Sequence, residues 1–348
     1  SYNKNTCIIL NLEPKNKSYE GRFIRLFLKE NPNLVSVVTE VKINKKDFNR
    51  DNGIFKGKLY NFLPISPENG LIGKWEEFPN ISKEKIPKRG EIKGRCKKNE
   101  ITGEYKTNVD KKYIKYKLYF YSSNKPSKYP SEKISWEEFK DKVSKHYQHP
   151  KYIFRGHKGR KVSKQWRLRT SFHKTGRTDF FRYRDEDIPV LHRVISAFSD
   201  CRFDLNKPQE YNSLLALARH HDYPSPLIDW TCSPYIAAYF AFSATSKDTK
   251  DGCVRIFVFN LDKWKEKADL LDKIDKKTFS LLNCAWPGFS HLEALAIGNN
   301  RLLPQQSVTM FSNIDDIESY IDFLEDKTNK TNKTNEPYLK IFDLPVKD

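Results

Sequence analysis

Tyr152-Ile153-Phe154-Arg155-Gly156 ends an apolar run on an arginine followed directly by glycine. Arginine offers a planar fork of donors that matches phosphate oxygens, and the bare Cα of Gly156 lets an anion approach the backbone as well. A second polar group gathers in Asp229-Trp230-Thr231-Cys232-Ser233-Pro234. Proline suits the first turn of a helix, so the Thr231 and Ser233 hydroxyls and the helix start together form a polar, positive-ended rim. Trp230 offers a ring face for a base or another flat ring to stack on, and His220-His221 lie a few residues upstream. Each group also has a structural alternative. Arg155 can serve an ion pair, Asp229 can cap a helix, Trp230 can sit in the core, and the histidines suit a helix C-terminus. Ala237, Ala238, Phe240 and Ala241 read as packing.

Several chemistries are excluded by pattern. Gly156-His157-Lys158-Gly159 lacks the spacing of a phosphate loop, no strand is followed by GxGxxG, and no GxSxG elbow occurs. The six cysteines (Cys7, Cys96, Cys201, Cys232, Cys253, Cys284) are scattered, with no CxxC pair and no Cys/His cluster, so free thiols and no metal are expected. No apolar run reaches the roughly 18 residues of a membrane span, and the opening residues lack a secretory stretch, so a cytoplasmic protein is expected.

A third segment, Asn300-Arg301-Leu302-Leu303-Pro304-Gln305-Gln306 with Phe311 beyond, completes an ordered set. With Phe154-Arg155-Gly156, His220-His221 and Leu227-Ile228-Asp229-Trp230-Thr231-Cys232-Ser233-Pro234, it resembles the FRG domain over roughly residues 135–312. More distantly, an Arg-Gly strand, a strand ending in Ser/Thr and a Pro-initiated Ala-rich helix are similar to the ADP-ribosyltransferase superfamily. That likeness implies NAD as substrate, held by Arg155, Gly156, His221, Asp229, Trp230, Thr231 and Ser233. It also implies a late glutamate that polarises the ribose 2′-hydroxyl and stabilises an oxocarbenium-like state. Where a transferase places that glutamate, just before Leu-Leu-Pro, this chain has Asn300-Arg301. Glu293 is the nearest upstream acid and Gln306 a neutral substitute, so Glu293, Gln306 and Arg301 are the catalytic candidates and the carboxylate stays open.

These motifs need elements to position them. Residues 1–124 read as an antiparallel β-meander or barrel with one early helix, Tyr19 to Glu30, where Phe23, Leu26 and Phe27 fall at helical spacing before Asn31-Pro32. Alternating segments follow at Leu34–Ile43, Gly53–Tyr60, Leu71–Trp75, Glu91–Arg95, Ile101–Lys106 and Tyr113–Tyr121, with glycines inside strands as a curved sheet requires. Their outward positions are repeatedly lysine. Residues 125–134 read as a linker, and Ser135-Trp136-Glu137-Glu138 carries a capping box opening a helix to about His146. Residues 135–348 then form the FRG domain, expected as a split antiparallel sheet with helices, making the whole chain α+β. The repeat Lys327–Asn335 reads as a low-complexity insertion before a last strand at Tyr338–Phe342.

Charge is distributed unevenly. Residues 1–150 carry 32 Lys+Arg against 18 Asp+Glu, whereas residues 151–348 carry 31 against 26. A lysine-weighted excess in the first part suits phosphate attraction better than base reading. The combined expectation is a toxin-like bacterial ADP-ribosyltransferase acting on RNA or single-stranded DNA brought in by the basic domain. An antitoxin or regulatory protein is an expected partner, in a toxin–antitoxin or phage-defence setting. Two alternatives stand beside it: a non-catalytic nucleotide or nucleic-acid sensor, and a transferase that modifies protein.

Overall fold

The computed structural model describes residues 2–3, 6–27, 35–49, 51–97, 100–119, 127, 129–157, 167–198, 200, 202–243, 252–267, 281–300, 303–331 and 336–346. The strands are β1 (Tyr2–Asn3), β2 (Thr6–Pro14), β3 (Ser18–Phe27), β4 (Ser36–Asn44), β5 (Ile54–Ile65), β6 (Gly90–Cys96), β7 (Glu100–Thr107), β8 (Ile114–Tyr119), β9 (Glu132–Lys133), β10 (Tyr152–His157), β11 (Leu227–Thr231), β12 (Cys253–Asn260), β13 (Phe289–Leu292), β14 (Ser307–Ser312) and β15 (Leu339–Pro345). The helices are α1 (Trp136–His146), α2 (Ser171–Lys174), α3 (Phe180–Arg182), α4 (Ile188–Phe198), α5 (Pro208–His220), α6 (Pro234–Phe242), α7 (Leu261–Lys267) and α8 (Ile317–Thr331). The chain is α+β and divides into two compact units.

Unit 1 comprises residues 1–121 together with 176–189 and 280–287. Its eight strands pair in sequence order, β1 to β8, and every pairing is antiparallel. β2 also approaches β8, so the meander curls toward a barrel. The inner face is packed by Phe23, Val41, Phe55, Leu59, Ile92, Tyr105 and Tyr116. Gly94 and Gly103 pair across β6 and β7, and a Cβ at Gly103 would lie 2.6 Å from the Tyr116 hydroxyl. Those glycines make room for a ring laid across the sheet, which is how the curvature is accommodated.

The helix expected at Tyr19–Glu30 is instead β3 as far as Phe27, and residues 28–30 lie outside the described residues. Phe23 packs inward, while Ile24 and Leu26 pack outward beside Val38, Ile65, Phe181 and Ala285. A strand buried on both faces loses its alternation, so apolar residues three and four apart imitate a helix. Gly21 marks the strand character, since a Cβ there would overlap the Asn11 carbonyl of β2 at 2.0 Å. Leu71–Trp75 is likewise no strand, and Leu71 and Ile72 make only isolated bridges. Glu13, 4 % exposed, accepts from the Asp179 amide at 2.8 Å and from the Thr178 amide, tying 176–189 into this unit.

Unit 2 holds residues 122–175, 190–279 and 288–348. Its sheet runs β13-β14-β11-β10-β12-β15-β9, antiparallel except for the short parallel β9–β15 pair. Both faces are covered. Phe154, Val254, Ile256 and Phe342 meet α1 and α6, while Ile153, Trp230, Phe257 and Phe259 pack with Trp264 of α7 and Ile317 and Ile321 of α8. β12 therefore reads as a continuous apolar run with a single charge, Arg255, which is buried in a two-pronged pair with Asp343 at 2.7 and 2.8 Å. The α1 capping box forms as expected, Ser135 Oγ accepting from the Glu138 amide. Of the linker expected at 125–134, residues 125, 126 and 128 lie outside the described residues, and Glu132–Lys133 is a strand. The Lys327–Asn335 repeat begins inside α8, and 332–335 lie outside the described residues.

Candidate functional site

β10 is central in its sheet and brings Arg155 beside Trp230 of β11, as the Phe154↔Thr231 register dictates. The Arg155 Nη1 donates to the Asp229 carbonyl, and the Asp229 carboxylate in turn pairs with Arg219 of α5 at 3.3 Å. Two guanidinium groups therefore converge on Asp229, whose carboxylate is half-exposed. Burial, and then the Arg219 charge working against the Asp229 carboxylate, hold the Arg155 guanidinium down to about 10. The Arg219 Nε is buried with no partner among the described residues. Arg219 also lies 3.9 Å from the exposed Asp222, so two carboxylates offset the two guanidinium groups, and what suits an anion here is the desolvated Arg155 fork beside the unused Arg219 Nε donor.

Gly156 does different work from that expected. A Cβ there would lie 1.9 Å from the Ala237 carbonyl and 2.9 Å from the Ala241 amide. The bare Cα is covered by α6, so it seats a helix rather than exposing backbone to a phosphate. Ala237, Ala238 and Ala241 pack as anticipated, whereas Phe240, expected to pack with them, is 39 % exposed. Trp230 is 2 % exposed, and its ring leans on Phe259 at 5.5 Å. Its faces belong to the core and offer no stacking platform.

The corner from β11 into α6 is built from hydroxyls and carbonyls. Ser233 caps α6, its Oγ accepting from the Ile236 amide at 3.3 Å, with Pro234 in the first turn. The cap is thus Ser233 and not Asp229. Thr231, nearly buried, donates to the Gln305 carbonyl at 2.8 Å and accepts from the Ser233 amide at 3.1 Å. The Cys232 amide donates to the Gln306 carbonyl at 3.0 Å. Gln306 reaches this corner in a left-handed turn (φ 45°), with its side chain exposed.

Glu293 follows the last residue of β13. Its position continues the row Arg155–Trp230–Val308, three strand spacings from Arg155, or roughly 14 Å at ~4.8 Å per strand. α5 pins that segment: Asn212 Nδ2 donates to the Glu293 carbonyl at 2.9 Å, and Ser213 Oγ accepts from the Leu295 amide at 2.7 Å. The Glu293 side chain is exposed. His221 is the exposed C-cap of α5, its ring 5.5 Å from that of His220. Arg301, like Trp166, lies outside the described residues. The neighbouring Arg167 is structural, buried against Asp316 at 2.7 Å.

Arg219, Asn212 and Ser213 are the functional candidates that motif reading passed over. Arg219 stands immediately before His220-His221, so the signal was a cation on the last turn of a helix aimed at a strand carrying an acid.

The family model described as the FRG domain matches residues 150–250. This part of the chain is similar to the FRG domain. The match runs from just before β10 to just beyond α6, so Arg155, Gly156, Arg219, Asp229 and Ser233 belong to it, whereas Glu293, Arg301 and Gln306 do not. It also spans residues 176–189, which cluster with unit 1. Comparison with curated proteins and with solved structures returns no match.

Proposed function

We propose that the chain is a toxin-like ADP-ribosyltransferase that takes ADP-ribose from NAD and transfers it to RNA or single-stranded DNA. The observation that carries this reading is the convergence of Arg155 and Arg219 on Asp229, a ready clamp for a diphosphate. NAD supplies a glycosidic bond whose cleavage releases nicotinamide and opens the ribose C1′ to a nucleophile on the nucleic acid. Arg155 and Arg219 hold the diphosphate, the Ser233 helix start adds positive potential, and Glu293 from the end of β13 meets the positive charge that develops on the ribose. Gln306 flanks the same corner. The basic outer strands of unit 1, with Lys56, Lys58, Arg95 and Lys115 exposed, recruit the polyanion. A transferase of this kind harms the cell that makes it, which favours a neutralising partner and a toxin–antitoxin or phage-defence setting.

A second reading is favoured by one observation. The Glu293 carboxylate is exposed and accepts no hydrogen bond among the described residues, which suits a nucleotide sensor without turnover. The two part company on incubation of the full chain with labelled NAD plus RNA, single-stranded DNA or cell lysate. Label on nucleic acid that disappears in Arg155→Ala and Glu293→Gln supports transfer. Label on protein redirects the target, and NAD binding without label leaves the sensor.

A further inference from the structure

One end of the unit 1 barrel opens into a cavity of about 500 Å³, within the roughly 300–1,000 Å³ typical of small-molecule sites. Arg25 and Phe27 reach it from the end of β3, Tyr105 from β7, and Lys115 from the start of β8, with Trp75 and Lys85 contributed by the long β5–β6 connection. Strand ends that alternate start and finish around one rim define the mouth of a meander barrel, a recurrent ligand position. Trp75 is fixed there, its Nε1 donating to the Phe62 carbonyl at 2.8 Å, so the indole gives the cavity its ring rather than its donor. Arg25 Nη1 donates to the Tyr105 hydroxyl at 3.2 Å, and its guanidinium carbon lies 5.0 Å from the Phe27 ring centre. Among the described residues the Arg25 Nε is buried without a partner, and no carboxylate pairs with Arg25. Of the two acids on the wall, Asp110 is already engaged by the Thr107 amide at 2.8 Å and hydroxyl at 2.6 Å, and Glu84 is exposed.

We propose that this mouth binds a planar aromatic ring carrying one anionic group, of nucleoside monophosphate size. A half-buried guanidinium with an unused donor favours an anion, and the partly exposed Trp75 and Phe27 rings beside it favour a flat ring, whereas Tyr105, 2 % exposed, belongs to the core. Lys85 and Lys115 give the rim the same sign. The site lies wholly within unit 1 and does not depend on the FRG-side reading.

Titration calorimetry of the full chain with adenosine 5′-monophosphate, adenosine and inorganic phosphate tests it. The monophosphate should bind, with adenosine and phosphate each at least tenfold weaker. Arg25→Gln should weaken monophosphate binding roughly ten- to hundredfold, the scale of one charge-assisted hydrogen bond. Lys115→Glu, on the exposed rim and harmless to folding, should weaken it threefold or more. Arg155→Ala should leave the affinity within twofold, so loss of NAD labelling and loss of this site are separable. Absence of binding by all three probes, equal affinity for adenosine and the monophosphate, an unchanged affinity in Lys115→Glu, or loss in Arg155→Ala instead would each overturn the proposal.

Discussion

At the scale of single residues, the two guanidinium groups gathered at Asp229 separate charge from shape. A lysine at 155 retains a cation but cannot form the planar fork, so Arg155→Lys should reduce NAD binding at least tenfold while the melting temperature moves by only a few degrees. Arg219→Gln should do the same, because the proposed clamp needs both guanidinium groups; undiminished NAD binding in either variant would dissolve the clamp. Two histidines set a pH response. Burial pushes His173 down to about 3 and His291 down to about 4, from an ordinary value near 6.5. Both are neutral when folded and take up a proton when unfolded, so stability is complete above the unfolded value and falls as pH drops through 6.5 toward the folded values. Each should contribute a slope of about 1.4 kcal/mol per pH unit once the unfolded form is charged. Urea unfolding between pH 6.5 and 5 should show that slope roughly halved in His173→Gln, whatever the variant's absolute stability.

At the scale of elements, Gly156 and Ser233 place α6 against the sheet. Gly156→Ala drives a Cβ into the Ala237 carbonyl, and helix and strand must separate to admit it; a loss of about 3 kcal/mol in urea unfolding is expected. Ser233→Ala removes only a cap and should cost about 1 kcal/mol. That contrast shows what the sequence made legible. The Ser135 capping box, the Pro234 helix start and most of the alternating strands of unit 1 could be read directly, because their signals are local. β3 could not, since segments 176–189 and 280–287 return to its unit and bury its second face, an effect of residues far along the chain. The site divides the same way. Arg155 was visible as a charge ending an apolar run, but its partner Arg219 emerges only when α5 packs near β11, and the burial of Trp230 follows from α7 and α8 lying on that face.

At the scale of the whole molecule, the concentration of lysine in residues 1–150 becomes a surface. Lys56 and Lys58 of β5 alternate outward with Phe55 and Leu59 inward, and Arg95 of β6 lies on the same outer face, in register with Ile54. None of the three forms an ion pair among the described residues, whereas Lys93 and Lys117 are tied to Glu104 and Glu100 at 2.8 and 2.7 Å. Unpaired cations are the ones that can displace counterions from a nucleic acid. Single-stranded RNA binding should therefore weaken steeply with salt. The triple variant Lys56→Glu, Lys58→Glu, Arg95→Glu should lower the slope of log affinity against log salt by roughly 2, at ~0.7 for each phosphate that is no longer neutralised. The paired variant Lys93→Gln, Lys117→Gln should change it far less, because those cations are already neutralised by neighbours. Filter binding across a salt series distinguishes the two sets. Equal effects from both would mean that only net charge matters, and a flat salt response in the native chain would remove nucleic acid as the partner of this face.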